Sequence, residues 1–415
     1  QAMPPEALTL CQKDSYLRTV DATVKTCVPG TKKKTFNVEL DETVLFAEGG
    51  GQPADVGKIG DAQVSHVFRD QEGRVQHVVD RPLEVGTTQR VEIDWDRRYD
   101  HMTHHTAQHV VSALAEDLFG WMTKSWALGS KDVSVEFNTA DGSGLKVEAG
   151  QIEALEKAVN HEVRLARKVS VQVVPRAEAL GIERLRASAK SMPEGIEECR
   201  LVDIQDLDLN LCCGTHVNTL AEIQMIKFYA VENQRGGSRV FFKACDRLLS
   251  SIASSLTLEK QLTLSLSCGP ELFPSKVDKM AVELKSTQKE TAGLREELST
   301  LLGKQLAADA KGPVAHLHHS EGTPKFSDQR FLFGIADTCR ADLPDVWVLI
   351  TNSPGPDQPG SFLLAGDPDA TTKLGPAVAK LLGGKGGGRA GKFNGRFTSL
   401  AALPEALALL EPPTA

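Results

Sequence analysis

Residues 101–111 read HMTHHTAQHVV, which places four of the chain's eleven histidines within nine positions. The spacing settles what kind of element this is. On an α-helix, residues four apart share a face, so His105 and His109 point the same way with imidazoles near enough to share one ion. His101 falls on that face too, whereas His104 is rotated by about a quarter turn and faces elsewhere.

The texture of the chain changes at this stretch. Upstream, YLRTVDATVKTCV (16–28), FNVELDETVLF (36–46), GKIGDAQVSHVF (57–68), VQHVVD (75–80) and QRVEIDW (89–95) are alternating and β-branched, with Gly, Pro and Asp between them. Each reads as a strand, and a small β-barrel is the economical arrangement. Downstream, a helix from about 100 to 119 precedes strands at VSVEFN and VSVQVVP, with a second helix from about 150 to 166 between them. More strands follow at CRLVDIQD, IQMIKFYAVE and SRVFFKACD, which makes an α+β domain with an antiparallel sheet. From 277 to 306, Val277, Met280, Leu284, Thr287, Thr291, Leu294, Leu298 and Leu301 keep a/d spacing along one long helix. Its two threonines weaken a self-standing seam, so it is either one limb of a helical hairpin with 256–268 or a homodimer contact. The C-terminal part, with VWVLITN, SFLLAG, GPAVAKLLG and LPEALALLE, returns to α/β alternation and offers a second surface for a homodimer. The expected class is therefore an α+β multidomain protein. Its parts are a barrel over 1–97, a two-layer α/β domain over 98–247, a helical arm over 248–310 and a C-terminal α/β domain over 311–415.

With 415 residues, 41% hydrophobic and 25% charged, the chain is soluble and globular in profile and long enough for several cores. No run approaches the length of a membrane span, so no membrane partner is expected, and with no signal core at the start the cytoplasm is the expected location. Eight scattered cysteines do not form a secreted disulfide framework. A net charge of -8 confines any RNA contact to a local patch.

A second motif complements the histidine pair. In NLCCGTHV (210–217), Cys212 and His216 stand four apart across a glycine, a pattern suited to a tight loop. One thiolate with three imidazoles is a soft nitrogen and sulfur set, which suits Zn²⁺ far better than Mg²⁺ or Ca²⁺. HTAQH followed by CCGTH resembles the zinc signature of the editing domain of alanyl-tRNA synthetases and of free-standing alanyl-tRNA editing proteins of the AlaX type. FAEGGGQPADVG (46–57) is similar to the Gly-Gly-Gln segment of the same family, and GGKGGGRAGKFNG (383–395) to the glycine-rich segment of its C-terminal domain. The whole chain thus resembles a long, eukaryote-like editing protein. No aminoacylation core is read ahead of the strands, so a synthetase is not expected.

The resemblance implies one zinc ion per chain held by His105, His109, Cys212 and His216. It implies hydrolysis of mischarged alanine tRNA, with serine the chief wrong amino acid and glycine a second candidate. Four protein ligands would close a tetrahedral site, so either one is loosely held or the ion chiefly positions the substrate. Gln52 and the N–H groups of Gly49 to Gly51 are candidate donors to developing negative charge, against a plain turn as the alternative. Thr123 and Ser125 are candidates for reading a serine hydroxyl or, equally, helix-end caps. Thr106 either joins them or bonds back along its own helix. Gly236 and Gly237 form a hairpin turn or line a pocket. Between 373 and 396 there are six basic residues and no acidic one. Lys385, Arg389, Lys392 and Arg396 are the expected tRNA contacts, against a flexible linker. The segment follows a helix and has Phe after its second Lys, which is not a Walker loop. TKKKT (31–35) reads as a solvated hairpin tip, against an RNA contact as the alternative. A zinc-containing tRNA-binding scaffold without activity, and a zinc hydrolase of other small esters, are the competing functions.

Overall fold

Alternating apolar residues between Thr19 and Ile93 curl one sheet into a closed barrel. In the computed structural model, which describes residues 8–186, 197–319, 328–355 and 357–411, a short helix α1 (Leu10–Lys13) precedes six strands. These are β1 (Thr19–Pro29), β2 (Phe36–Leu40), β3 (Gly57–Ile59), β4 (Ala62–Arg69), β5 (Val75–Val79) and β6 (Thr88–Ile93), closed in the order β1-β2-β5-β4-β3-β6. Closure leaves no free edge, and the inward residues Val38, Ile59, Val64, Val67, Val79 and Val91 fill the interior. GKIGDAQVSHVF, read as one strand, is a hairpin. Gly60 takes a positive φ of 55° and turns the chain between β3 and β4.

Helix α2 (Trp95–Phe119) starts where the Asp94 side chain accepts from the Arg97 N–H and ends at Gly120, whose φ of 67° is left-handed. Every residue from His101 to Ala115 is buried. A helix buried all round is ordinarily apolar all round. This one carries four histidines, three threonines or serines and a glutamine on buried positions, so those side chains must find partners inside the protein. Around α2 lie two antiparallel sheets, where a single sheet was expected. The first has the order β12-β13-β8-β7, from β7 (Met122–Leu128), β8 (Val133–Asn138), β12 (Ile226–Gln234) and β13 (Gly237–Ala244). The second has the order β11-β10-β9, from β9 (Val169–Pro175), β10 (Glu198–Ile204) and β11 (Asp208–Leu211). Helix α3 (Ala149–Arg164) adds Leu155 and Val159 to the core formed by Val110, Val111 and Leu114 with Val133, Val135, Phe137, Val240 and Phe242. A short α4 (Arg176–Ala179) follows β9. Arg235 and Gly236 make the β12–β13 turn, with Gln234 opposite Gly237, the first residue of β13.

Barrel and helix are joined by a buried ion pair. The Arg98 guanidinium bonds Asp55 and also donates to the carbonyls of Ser15 (2.9 Å) and Val44 (2.6 Å). Both side chains are fully buried, so losing either partner would strand a charge. This clamp brings the GGGQPAD segment against the first turns of α2.

These elements form one compact unit, Gln1–Gln261, and a second covers Leu262–Ala415, with α5 (Cys245–Leu266) crossing the division. In the second unit the arm is a single helix α6 (Phe273–Asp309), as the heptad pattern requires. Its last turns pack on α7 (Gln329–Asp342), while Val277, Met280, Leu284, Leu294, Leu298 and Leu301 are exposed. The sheet here has the order β14-β15-β16-β18-β17, from β14 (Val314–His319), β15 (Trp347–Asn352), β16 (Gly360–Ala365), β17 (Lys385–Arg389) and β18 (Lys392–Phe397). Its β14–β15 pair is parallel and the others antiparallel. Helices α8 (Pro368–Leu381) and α9 (Leu403–Ala408) complete it. The glycine-rich segment is therefore a β-hairpin edge and not a linker. No described helix is long and apolar enough to cross a membrane.

Candidate metal centre

His105 and His109 leave α2 on one face, as their spacing requires, and the loop after β11 carries Cys212 and His216 to them. The ligand atoms of these four residues all lie within 4.8 Å of one another. Cys212 Sγ stands 3.3 Å from His105 Nε2 and 3.2 Å from His216 Nε2. A tetrahedral ion with bonds of about 2.0–2.3 Å spaces its ligands roughly 3.3–3.8 Å apart, close to the two distances at Cys212 Sγ, while the set as a whole spans up to 4.8 Å.

The hydrogen bonds behind the ligands fix all three histidines in the same tautomer. His105 donates from Nδ1 to Gln52 Oε1 at 2.9 Å. His109 donates from Nδ1 to Asp208 Oδ2 at 3.1 Å, and Arg186 grips the same carboxylate through Nε and Nη2. The hydroxyl of Thr106 donates to the Met102 carbonyl, so its oxygen accepts from His216 Nδ1 at 3.0 Å and from the Val217 N–H. Each Nε2 is left as a bare lone pair aimed at the cluster, the arrangement that orients and strengthens metal-binding imidazoles. Burial, followed by the neighbouring imidazoles, holds His105 and His216 well below the usual imidazole pKa, so both are neutral ligands at pH 7. Burial pushes the Cys212 thiol up to about 12, and only a bound cation would make it a thiolate at that pH. Asp208 is held down at about 2 by its bonds to His109 and Arg186, against the upward push of burial.

Close packing of backbone makes the cluster possible. A Cβ on Gly214 would lie 2.3 Å from the His105 ring and 2.7 Å from Gln52 Oε1, so only glycine fits there. Gly51, with φ of 85°, abuts the Trp126 ring at 2.5 Å from where its Cβ would be, and Trp126 lies 4.5 Å from His105.

Gln52 is fully buried. Its Oε1 accepts from His105 and from the Thr215 N–H, and its Nε2 donates to Thr215 Oγ1 at 2.9 Å. The N–H groups of Gly50 and Gly51 make no hydrogen bond among the described residues, whereas that of Gly49 is bonded to the Gln52 carbonyl. Thr123 and Ser125 lie on β7 and are not helix caps. A bulge between them puts Thr123 on the α2 side, bonded to Ser112 Oγ at 2.8 Å. Ser125 shares the outward face with Glu136, which it bonds at 3.0 Å. Neither belongs to the ligand cluster. Cys213 stays outside it too, its sulfur lying against Gly50. His101 is buried with no partner on Nδ1 among the described residues, and His104 faces away to bond the Ala244 N–H.

In the second unit the β17–β18 register pairs Lys385 with Arg396 and Arg389 with Lys392, which sets all four on one face of the hairpin. Phe393 and Phe397 turn to the other face and are buried. Lys392 is engaged by Asp337 at 2.7 Å, while Lys385, Arg389 and Arg396 are exposed.

Sequence reasoning missed Asp208, Arg186 and Arg200. Arg200 is buried and donates to the carbonyls of Gln12 and Cys212, bracing the ligand loop. The available signal was weak. Asp208 opens a strand in which polar and apolar residues alternate, so nothing in the sequence marks it as buried, and its partner stands 99 residues away.

The fold and site find a counterpart in a domain class. Residues 199–240 match the second additional domain of threonyl and alanyl tRNA synthetases. The alanyl-tRNA editing protein Aarsd1 of Danio rerio is 35% identical over 414 residues, covering 97% of this chain and 96% of its own length. Aarsd1 of Rattus norvegicus is 36% identical over 416 residues, with 97% of each covered. An alanine–tRNA ligase of Pyrococcus abyssi is 26% identical over 423 residues, spanning 97% of this chain but 43% of the ligase. The chain belongs to the alanyl-tRNA editing protein family.

Proposed function

We propose that this protein edits alanine tRNA, hydrolysing the ester of a wrongly attached amino acid, chiefly serine and secondarily glycine, at a zinc centre formed by His105, His109, Cys212 and His216. One observation carries the reading. Three imidazoles from two distant segments are locked in the tautomer that directs Nε2 at a shared point beside Cys212 Sγ. A zinc ion there would supply Lewis acidity at neutral pH.

The chain's own groups do the rest. Gln52 acts as a positioning residue, since both ends of its amide are spent on His105 and Thr215. The exposed N–H groups of Gly50 and Gly51 are then the donors available to an ester oxygen as it gains charge. Trp126 closes one side of the centre and limits water there. Lys385, Arg389 and Arg396 offer phosphate contacts on one hairpin face, with Lys392 partly committed to Asp337. The exposed seam of α6 is the surface a homodimer would cover, and sedimentation of the wild type against Leu284→Glu tests that contact.

The deciding experiment is deacylation of seryl, glycyl and alanyl esters of alanine tRNA. Loss of the seryl and glycyl esters but not the alanyl ester, abolished by His105→Ala, supports the proposal. The second reading, a silent zinc-containing scaffold, draws on the same four-ligand set, since closed sites are the structural kind. Absence of hydrolysis by zinc-replete protein would favour it.

A further inference from the structure

Helix α2 passes between two free sheet edges. β7 ends one sheet and β11 the other, and both touch it. Along β7, the Trp126 ring meets His105 and the Thr123 hydroxyl meets Ser112. His105 and Ser112 are two turns apart on nearly the same side of α2, and Gln108 lies between them, one turn beyond His105. Gln108 is 5% exposed. Its Nε2 donates to Ser112 Oγ at 2.8 Å, and Thr123 Oγ1 donates to the same oxygen at 2.8 Å. Both lone pairs of Ser112 are thereby used. The other end of the Gln108 amide, Oε1, makes no hydrogen bond to any described residue.

We infer that Gln108 Oε1 receives the side-chain hydroxyl of a seryl ester and so distinguishes serine from alanine. The inference rests on the editing reading above and assigns its specificity to a residue that the sequence motif did not single out. The Gln108 side chain is largely enclosed while its Oε1 stays open to a donor, so a hydroxyl one turn from the metal ligands could take the place of water there. The methyl of a correctly attached alanine would displace water from that oxygen and leave it unpaired. Sites built to bond a hydroxyl reject the analogue lacking it far better than apolar pockets reject an extra group. Ser112 and Thr123 hold the amide in place, and Ser125 plays no part because it faces outward.

The test compares kcat/KM of zinc-replete full-length protein and Gln108→Leu on seryl and glycyl esters of alanine tRNA, with bound zinc measured in both. The seryl-to-glycyl ratio should fall about ten-fold in the variant at unchanged zinc content, the scale of one hydrogen bond. An unchanged ratio overturns the inference. Should Gln108→Leu lose metal or fail to fold, Thr123→Val, which is remote from the ligands, should lower the ratio about two- to three-fold by loosening the amide, again on the scale of a hydrogen bond. Binding of non-hydrolysable 3′-seryl-amide and 3′-alanyl-amide adenosines to the wild type gives an independent reading, and equal affinity overturns the inference. A wild type inert on every ester would overturn the editing reading itself, and the present one with it.

Discussion

Asp208→Asn removes the charge behind His109 while keeping the side chain's shape. In the native protein the carboxylate accepts from His109 Nδ1 at 3.1 Å and from Arg186 at 2.7 and 3.0 Å. Its pKa of about 2, against an ordinary 3.8, amounts to about 2 kcal/mol of preference for the charged form at 1.36 kcal/mol per factor of ten. That preference is present above pH 3.8 and is lost as the pH falls toward 2. The asparagine keeps an acceptor for His109 but neither raises its basicity nor neutralises Arg186. Loss of a partner behind a metal-bound histidine weakens metal affinity about 10- to 100-fold, or about 1.4–2.7 kcal/mol. Competition for zinc with a chromophoric chelator at pH 7 measures this directly. The metal-free variant should also melt earlier than metal-free wild type, because Arg186 is left without its counter-charge. A folded Asp208→Asn protein whose zinc affinity stays within a factor of two of wild type would refute the account of the centre.

Other consequences can be checked separately. Thr106→Val takes the acceptor from His216 Nδ1, and cobalt-substituted protein should show an altered visible spectrum with about ten-fold weaker metal binding. Gly51→Ala meets both a φ of 85° and the Trp126 ring, and should cost about 1–2 kcal/mol in denaturant titrations while changing Trp126 fluorescence. His77 is pushed down to about 4 by burial and, with Nδ1 bonded to the Val38 carbonyl and Nε2 to Thr43, is neutral when folded. Its contribution is full above pH 6.5 and is lost as the pH falls through 4, a change of about 3 kcal/mol that His77→Gln should remove from a pH series of melting curves. Replacing Lys385, Arg389 and Arg396 together by Ala should weaken tRNA binding and reduce the slope of log affinity against log salt by about 2–3, at roughly 0.7–0.9 per phosphate contact.

The barrel strands and the pairing of His105 with His109 on one helical face were legible in the chain itself, because each depends on a local period, whereas the addition of Cys212 and His216 to that pair came from donor chemistry and the family resemblance. Alternation of two marks the strands, and spacing of four sets His105 with His109 on one helical face. The a/d spacing likewise marked a single long helix over 277–306, which α6 overruns at both ends (Phe273–Asp309), although the exposure of its seam could not be read from it. Misreadings arose where one short feature overrode a pattern. Gly60 broke an apparently continuous strand, and the residues just beyond α2, which the sequence alone reads equally as serine readers or helix-end caps, form β7, where a bulge sends Thr123 and Ser125 to opposite faces.

What tertiary structure alone decided is everything behind the ligands. Asp208, Thr106 and Gln52 act on His109, His216 and His105 across 99, 110 and 53 residues of chain. Hydrogen-bond direction at such distances leaves no periodic trace. The same holds for the basic hairpin: composition marked Lys385, Arg389, Lys392 and Arg396 as a patch, but only the antiparallel register set them on one face and tied Lys392 to Asp337. Sequence spacing records which groups can meet on one element. Which nitrogen carries the proton and which charge is already paired follow from elements brought together in space.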